Sequence, residues 1–457
     1  MKNVYFIGIG GIGMSALARY YNNLGYFTAG YDRSESALTS QLENEGIEIH
    51  YQDSVSLIPP SIINNKKNTL VVYTPAIPSD SKELNWFRAN KFEMIKRSSA
   101  LGHIASTKNT LAIAGTHGKT TVSTMLAHIL EHSGMGCTAF LGGISVNYNS
   151  NLLLSQSNTL VAEADEFDRS FLQLWPNIAV ITSAEADHLD IYNNTQSIKS
   201  AFALFASQVK EGGTLIIKKG VGKEIEKDVK ANILYYSFKD KCDFYASNLE
   251  IAEGGFFNFT LNYPTGKIEG CKVGTPGWIN VENAIAAGAA AITHGCPPDK
   301  VKKALASFKG VQRRFDIKIN NPKCSYIDDY AHHPNEISAA ISSIRNIFAG
   351  KRLTAIFQPH LYSRTRDFAN EFAKSLSKLD ELILLDIYPA REEPIKGVSS
   401  KIIFDKVELE NKIMISKEKL LEELNNREIE TLITFGAGDI DRLVNPITEL
   451  LKKRYKI

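Results

Sequence analysis

The residues of this chain best suited to chemistry are Gly115, Thr116, His117, Gly118, Lys119 and Thr120, with Thr121 behind them. Glycines let backbone N–H groups close around phosphate oxygens, and a helix starting here would point its positive end at the same anion. Lys119 would neutralise phosphate charge. Thr120 would offer its hydroxyl to Mg²⁺, which takes oxygen ligands and usually keeps several waters. The spacing departs from G-x-x-x-x-G-K-[ST], because Ile113 stands where the first glycine belongs. That departure counts against a generic kinase or GTPase.

Two acidic clusters follow apolar segments. Glu163, Asp165, Glu166 and Asp168 come after the first, and Glu185, Asp187, His188 and Asp190 after the second. Charged loops are common on any surface. Strand ends beside a phosphate loop, however, are where metal ligands are needed, and His188 in that setting can ligate a second Mg²⁺.

Gly8-x-Gly10-x-x-Gly13 has the dinucleotide spacing, running on through Gly11, Ile12, Met14 and Ser15, with Asp32 where a ribose-binding acid would sit. Its physical content is that a diphosphate can approach the backbone at a helix N-terminus, so a UDP-linked substrate fits as well as NAD. Late in the chain come Asp328-Asp329-Tyr330-Ala331-His332-His333-Pro334 and Gln358-Pro359-His360-Leu361-Tyr362-Ser363-Arg364. The adjacent histidines lack the i, i+4 spacing of zinc proteases, and no cysteine or further patterned histidine completes a zinc site. For one of them, a plain hydrogen-bonding role competes with substrate contact.

These loops need strands to deliver them. Val4 to Ile9 reads as a buried strand, Met14 to Asn23 as a helix and Leu70 to Thr74 as another strand, which opens a nucleotide-binding α/β domain. A new strand, Leu111 to Ala114, leads into the phosphate loop, and Thr159 to Ala162 and Ile178 to Thr182 end in the acidic clusters. From about 236 to 275, short segments rich in Phe, Tyr, Thr and Asn with Gly turns suggest antiparallel strands, as an insertion or flank, before a helix Val281 to His294. Ser325 to Ile327, Leu353 to Phe357, Leu382 to Leu385 and Leu432 to Phe435 make a third α/β series. The predicted domains are 1–106, 107–312 and 313–457.

A chain of 457 residues is too long for one ordinary core. With 44% hydrophobic and 22% charged residues it reads as soluble and globular, not disordered. A net charge of +2 recommends neither nucleic acid nor an anionic membrane as partner. The cysteines Cys137, Cys242, Cys271, Cys296 and Cys324 are scattered, odd in number and without a C-x-x-C pair, as expected of reduced thiols in the cytosol. Met1 runs directly into an apolar strand with no basic leader, so export is not expected, and no apolar run is long enough to span a membrane.

In combination, the chain resembles the Mur ligases over essentially its whole length. The resemblance rests on GIGGIGMS at Gly8–Ser15, GTHGKTT at Gly115–Thr121, EADEFD at Glu163–Asp168, EADHLD at Glu185–Asp190, Asn280-x-x-Asn283, Arg313-Arg314-Phe315, Asp328–Pro334 and Gln358–Arg364. It implies an α/β enzyme of three domains: a Rossmann-like N-terminal domain for the UDP moiety, a central P-loop-type ATPase, and a Rossmann-like C-terminal domain that closes over nucleotide and amino acid. It implies that Lys119 and Thr120 hold ATP phosphates and Mg²⁺ (with Mn²⁺ as an alternative), and that Glu163 and His188 ligate the metal. Asn280 and Asn283 would lie near adenine, and Arg314 and Asp329 would reach phosphate and ribose. Tyr330, His332, His360 and Arg364 would line the amino-acid and acyl-phosphate pocket, with Lys119, His188, His332 and Arg364 carrying catalysis. Leu361 stands where some relatives carry arginine. Ala203 stands near the place where sister enzymes carry a carbamylated lysine, so no carbamylation is expected.

Within the family, the wording of the motifs is most similar to members that join L-alanine to the lactyl carboxylate of UDP-N-acetylmuramate. Members that attach a recycled tripeptide to the same sugar nucleotide are the nearest alternative. Asp386–Glu393, reading DIYPAREE, favours the alanine-adding type. An NAD-dependent oxidoreductase is a distant alternative that leaves the phosphate loop without a role, as is a nucleotide-dependent switch.

Overall fold

The computed structural model describes residues 2–184, 195–390 and 392–457. It divides into two compact units. The first comprises Met1–Glu250, Phe257–Thr275 and Ile279–Lys309, and the second Ile251–Phe256, Pro276–Trp278 and Gly310–Ile457.

The first unit holds two sheets. Strands β1 (Asn3–Ile7), β2 (Phe27–Tyr31), β3 (Glu48–His50), β4 (Thr69–Tyr73) and β5 (Glu93–Lys96) form a parallel sheet in the order β3-β2-β1-β4-β5. Every residue of β1 is buried, as expected of a parallel strand covered on both faces, which is why its sequence is a continuous apolar run and does not alternate. Strand order reverses at β1, and the glycine turn after it leads into helix α1 (Ile12–Asn23), so the turn sits at the switch point where such sheets bind ligands.

The second sheet has ten strands: β6 (Asn109–Ala114), β7 (Thr138–Ser145), β8 (Ser150–Leu153), β9 (Thr159–Glu163), β10 (Ile178–Ile181), β11 (Thr214–Lys218), β12 (Asn232–Ser237), β13 (Phe244–Ile251), β14 (Phe257–Tyr263) and β15 (Gly266–Lys272). Their order is β15-β14-β13-β12-β11-β10-β6-β9-β7-β8. β6 lies between β9 and β10 and is parallel to both, so the phosphate loop, Glu163 and Thr182 all emerge at one edge. The expectation of antiparallel strands at 236–275 holds for β14 and β15 and needs correction at β12 and β13. β12 pairs parallel with β13, β14 pairs antiparallel with β15, and all four extend the central sheet. The six residues between β12 and β13 are fewer than a parallel crossover normally needs, so the link reads in sequence as a hairpin.

Both sheets contribute to one apolar core, which runs from Val4 and Phe6 through Phe140 and Leu160 to Phe202. Asn151 on β8 fastens α1 to it: its amide donates to the Ile12 carbonyl (2.6 Å) and to Ser15 Oγ (2.9 Å), and its side-chain oxygen accepts from Arg19.

The second unit has one sheet: β16 (Asp316–Asn320), β17 (Ser325–Asp329), β18 (Leu353–Phe357), β19 (Glu381–Leu384), β20 (Lys412–Met414) and β21 (Thr431–Phe435), ordered β16-β17-β21-β18-β19-β20. All pairs are parallel except β16–β17. The loops after β17, β21 and β18 therefore leave the sheet side by side. Among the described residues, no helix is long and apolar enough to cross a membrane.

Candidate active site

The phosphate loop is built as its sequence requires. Gly115 has φ +138°, and a Cβ there would overlap the Thr182 hydroxyl; Gly118, with φ +82°, starts the helix Lys119–Ser133. The loop is clamped to the end of β10. Thr182 Oγ1 donates to the His117 carbonyl (2.5 Å), the His117 N–H donates to Ser183 Oγ (2.9 Å), and the Thr116 and Ser183 hydroxyls are 2.9 Å apart. Asn283, on the helix Trp278–Thr293, brings its amide oxygen to 3.0 Å from where a Gly118 Cβ would stand, and Asn280 is buried on the same helix.

Lys119 Nζ donates to the Gly115 carbonyl (2.6 Å) and to Glu166 Oε1 (2.9 Å), and lies 2.8 Å from Glu166 Oε2. Burial works to strip its charge, but the carboxylates of Glu166, then Asp165 and Glu163, outweigh burial and hold the ammonium above its ordinary pKa. Thr120 Oγ1 donates to Glu163 Oε1 (3.2 Å), and the Gly142 N–H donates to Glu163 Oε2 (3.1 Å). A hydroxyl and a carboxylate meeting beside a phosphate loop are hard oxygen donors that fit a hydrated Mg²⁺. His188, with Glu185, Asp187 and Asp190, lies outside the described residues.

In the N-terminal sheet, Gly8 takes φ +88° and the Gly10 N–H donates to Asp32 Oδ2 (2.7 Å). Asp32 thus braces the turn itself. At Gly13 a Cβ would stand 2.7 Å from Arg97 Nη1, so the guanidinium lies against the turn, close to Met14 and Ser15 at the start of α1.

In the second unit, Asp329 is held by two backbone donors, the Ala331 N–H (2.7 Å) and the Phe315 N–H (2.9 Å). Burial pushes its pKa up to about 7 against those donors and Arg314. Arg313 and Arg314 both lie over the Tyr330 ring, at 5.2 and 4.9 Å from its centre. Tyr330, His332, His360 and Tyr388 then continue ring to ring, at 5.3, 5.9 and 6.0 Å. The adjacent histidines divide their work. His333 caps the helix Pro334–Ile347 in a capping box with Glu336, whereas His332 faces the ring series. His332 Nδ1 is 3.0 Å from the Tyr330 carbonyl; a carbonyl only accepts, so Nδ1 carries the proton in that bond and Nε2 the lone pair. Burial, with a contribution from Arg364, lowers the His332 pKa against Glu336. Leu361 takes an unusual φ of +69° and is pinned by its N–H to the Tyr388 carbonyl (3.0 Å).

Three family descriptions match the chain in succession: "Mur ligase family, catalytic domain" over residues 3–109, "Mur ligase middle domain" over 113–291, and "Mur ligase, glutamate ligase domain" over 313–438. The chain belongs to the Mur ligase family. It is 50% identical to a UDP-N-acetylmuramate–L-alanine ligase of Porphyromonas gingivalis over 457 residues, 99% of each chain, and 48% identical to that of Christiangramia forsetii, over 99% of this chain and 98% of the relative. Among solved structures, the UDP-N-acetylmuramate-alanine ligase of Thermotoga maritima superposes with a TM-score of 0.83 at 27% identity, covering 100% of this chain and 99% of that one. A murein peptide ligase of Psychrobacter arcticus shares the fold, with a TM-score of 0.74 at 21% identity and 99% coverage of both.

Sequence reasoning missed several residues of this Mur ligase that the fold brings to the motifs. Thr182 and Ser183 clamp the phosphate loop. Gly142 contacts Glu163. In sequence Glu166 is one acid among four, yet it is the fully buried partner of Lys119. In the second unit, Gly436-Ala437-Gly438-Asp439 follows β21, and Gln358 reads it: its Nε2 donates to Asp439 Oδ1 (2.8 Å), and its Oε1 accepts from the Ile440 N–H (3.0 Å). An apolar strand followed by G-A-G was a legible signal for this turn. Ser363 donates from its backbone N–H to Glu392 of the DIYPAREE segment (2.9 Å).

Proposed function

We propose that this Mur ligase joins L-alanine to the lactyl carboxylate of UDP-N-acetylmuramate at the expense of ATP, giving UDP-N-acetylmuramoyl-L-alanine, ADP and phosphate. The observation that carries the chemistry is the meeting of Lys119, Thr120 and Glu163 at the end of β6, a cation and two hard oxygen donors around a loop shaped for phosphate. The choice of substrates is supported by the alanine ligases that match the chain end to end at about half identity.

A carboxylate does not acylate an amine at neutral pH, because its oxygen is a poor leaving group. One carboxylate oxygen attacks the γ-phosphorus of ATP, the bond to the bridging oxygen breaks, and ADP leaves with that electron pair. The acyl phosphate now carries a good leaving group. The neutral amine of L-alanine attacks the acyl carbon, the tetrahedral adduct expels phosphate, and the nitrogen gives up a proton. In this account Lys119 leaves Glu166 for the transferring phosphoryl group, offsetting its charge. Mg²⁺, held by Thr120 and Glu163 and on our reading by His188, or Mn²⁺ in its place, would spread phosphate charge. We assign the lone pair on His332 Nε2 to taking up the amine proton, and Arg364 to anchoring a carboxylate or phosphate. Arg314 and Asp329 are assigned to ATP phosphate and ribose, and Asn280 and Asn283 to adenine.

The glycine turn at Gly10–Ser15 is assigned to the UDP diphosphate, and we place the reaction in the cytosol, where ATP is supplied. The experiment is to incubate enzyme, UDP-N-acetylmuramate and Mg-ATP without amino acid and trap the acyl phosphate by borohydride reduction. Recovery of the sugar nucleotide with its lactyl carboxyl reduced to an alcohol supports the reading. Unchanged sugar nucleotide under conditions where alanine is ligated contradicts it.

A further inference from the structure

Between the glycine turn and the phosphate loop lies a line of charge that the reaction above does not use. Arg97, at the start of the helix Arg97–Ser106, packs against Gly13 on one side and places Nη2 3.6 Å from Asp165 Oδ2 on the other. Its neighbour Lys96 pairs with Asp168 at 3.0 Å. Asp165 directly precedes Glu166, which holds Lys119, and the charge of Asp165 itself acts on Lys119. Asp168 and Arg169 are consecutive non-glycine residues in the left-handed region, with φ +52° and +54°. Such backbone costs about 1–3 kcal/mol per residue and persists where surrounding contacts over-determine it.

We infer that Arg97 is a positioning residue that couples occupancy of the sugar-nucleotide turn to the state of the phosphate loop, through Asp165 and Glu166. Two cations, Arg97 and Lys119, share one acidic segment from opposite ends. A diphosphate arriving at Gly10–Gly13 competes for Arg97 and changes the field that Asp165 and Glu166 exert on Lys119. A triphosphate that draws Lys119 off Glu166 changes, in return, how firmly Asp165 holds Arg97. Linkage requires the two effects to be equal in free energy. Slippage between the sheets does not absorb the shift, because Asn151 already ties the first turn of α1 to β8.

The inference rests on the proposed function only for the identity of the two ligands. Its test is equilibrium binding of UDP-N-acetylmuramate to the full chain with and without saturating non-hydrolysable ATP analogue and Mg²⁺. In the unmodified protein the affinity should change by about fivefold or more, in one direction or the other. In Arg97→Gln, and separately in Asp165→Asn, that ratio should fall to within about twofold of unity, and the double variant should add nothing further. Arg97→Lys, which keeps the charge, should restore much of the ratio. An unmodified protein with a ratio of one, or variants that bind both ligands more weakly yet keep the ratio, would overturn the inference. Failure of the unmodified chain to bind either ligand alone would overturn the functional reading itself, and the coupling with it.

Discussion

The Lys119 ammonium lies 2.8 Å from one oxygen of Glu166 and 2.9 Å from the other, in a pair whose acid is fully buried. Each partner satisfies a charge that the interior would otherwise penalise. Removing one partner of a buried pair destabilises a protein by about 3–5 kcal/mol. Glu166→Gln keeps an acceptor for the ammonium and removes the carboxylate that competes with phosphate for it. We therefore expect a stability loss of about 2–3 kcal/mol, at or below the low end of that range, together with tighter ATP binding. Chemical unfolding and calorimetric titration on the same preparation check both; weaker ATP binding at unchanged stability would contradict the account.

Lys119→Ala should lower kcat by about a hundredfold or more, the scale of removing one pre-organised charge-stabilising group. The sugar nucleotide should still bind, because its turn lies on the other sheet, and any change in its affinity should match in direction the change that a saturating ATP analogue produces in the unmodified protein. A steady-state assay paired with direct binding separates the two effects.

Gly142 is a subtler target. A Cβ at this position would overlap the Glu163 carboxylate, so Gly142→Ala forces Glu163 away from Thr120. The expected outcome is a higher Mg²⁺ requirement, with activity partly recovered at high Mg²⁺. An unchanged Mg²⁺ titration would remove Glu163 from the metal site.

The contrast between Lys119 and Glu166 also shows what the sequence conveyed. Motifs that lie at strand ends were legible, because a buried parallel strand is a continuous apolar run and its C-terminal loop is where ligands bind; this located Gly115–Thr120, Glu163, Asp329–His332 and His360–Arg364. Pairings across strands were not legible. Nothing in the local pattern distinguishes Glu166 from Asp165, or tells that Thr182 and Ser183 will meet the phosphate loop, since those contacts follow from the order in which β9, β6 and β10 pair. Strand direction at β12–β13 failed for the same reason. The division of labour between His332 and His333 became visible only with Glu336 in its capping box.

A pH-dependent term arises far from the chemistry. Glu83 is buried beside Tyr5, whose hydroxyl donates to it at 2.6 Å, and His50, 3.4 Å away. Burial pushes its pKa from 4.5 to about 7, against the Tyr5 and Ser54 hydrogen bonds that favour the carboxylate. The folded state therefore holds a proton that the unfolded chain releases. Its stabilisation is full below the ordinary carboxylate range and is lost as pH rises through about 7. The unfolding free energy of the unmodified protein minus that of Glu83→Gln should fall by about 1–3 kcal/mol across that window. His50, whose pKa burial lowers, slopes the opposite way and lies against Glu83, so the comparison is made with His50→Gln in both proteins to isolate Glu83. A flat difference curve would show that Glu83 is not held protonated.

The most direct measurement of the central claim is phosphate release from Mg-ATP with UDP-N-acetylmuramate and, in turn, each single amino acid and the murein tripeptide. Release should depend on both sugar nucleotide and L-alanine, with stoichiometric formation of UDP-N-acetylmuramoyl-L-alanine. Release that requires the tripeptide and ignores L-alanine would contradict it.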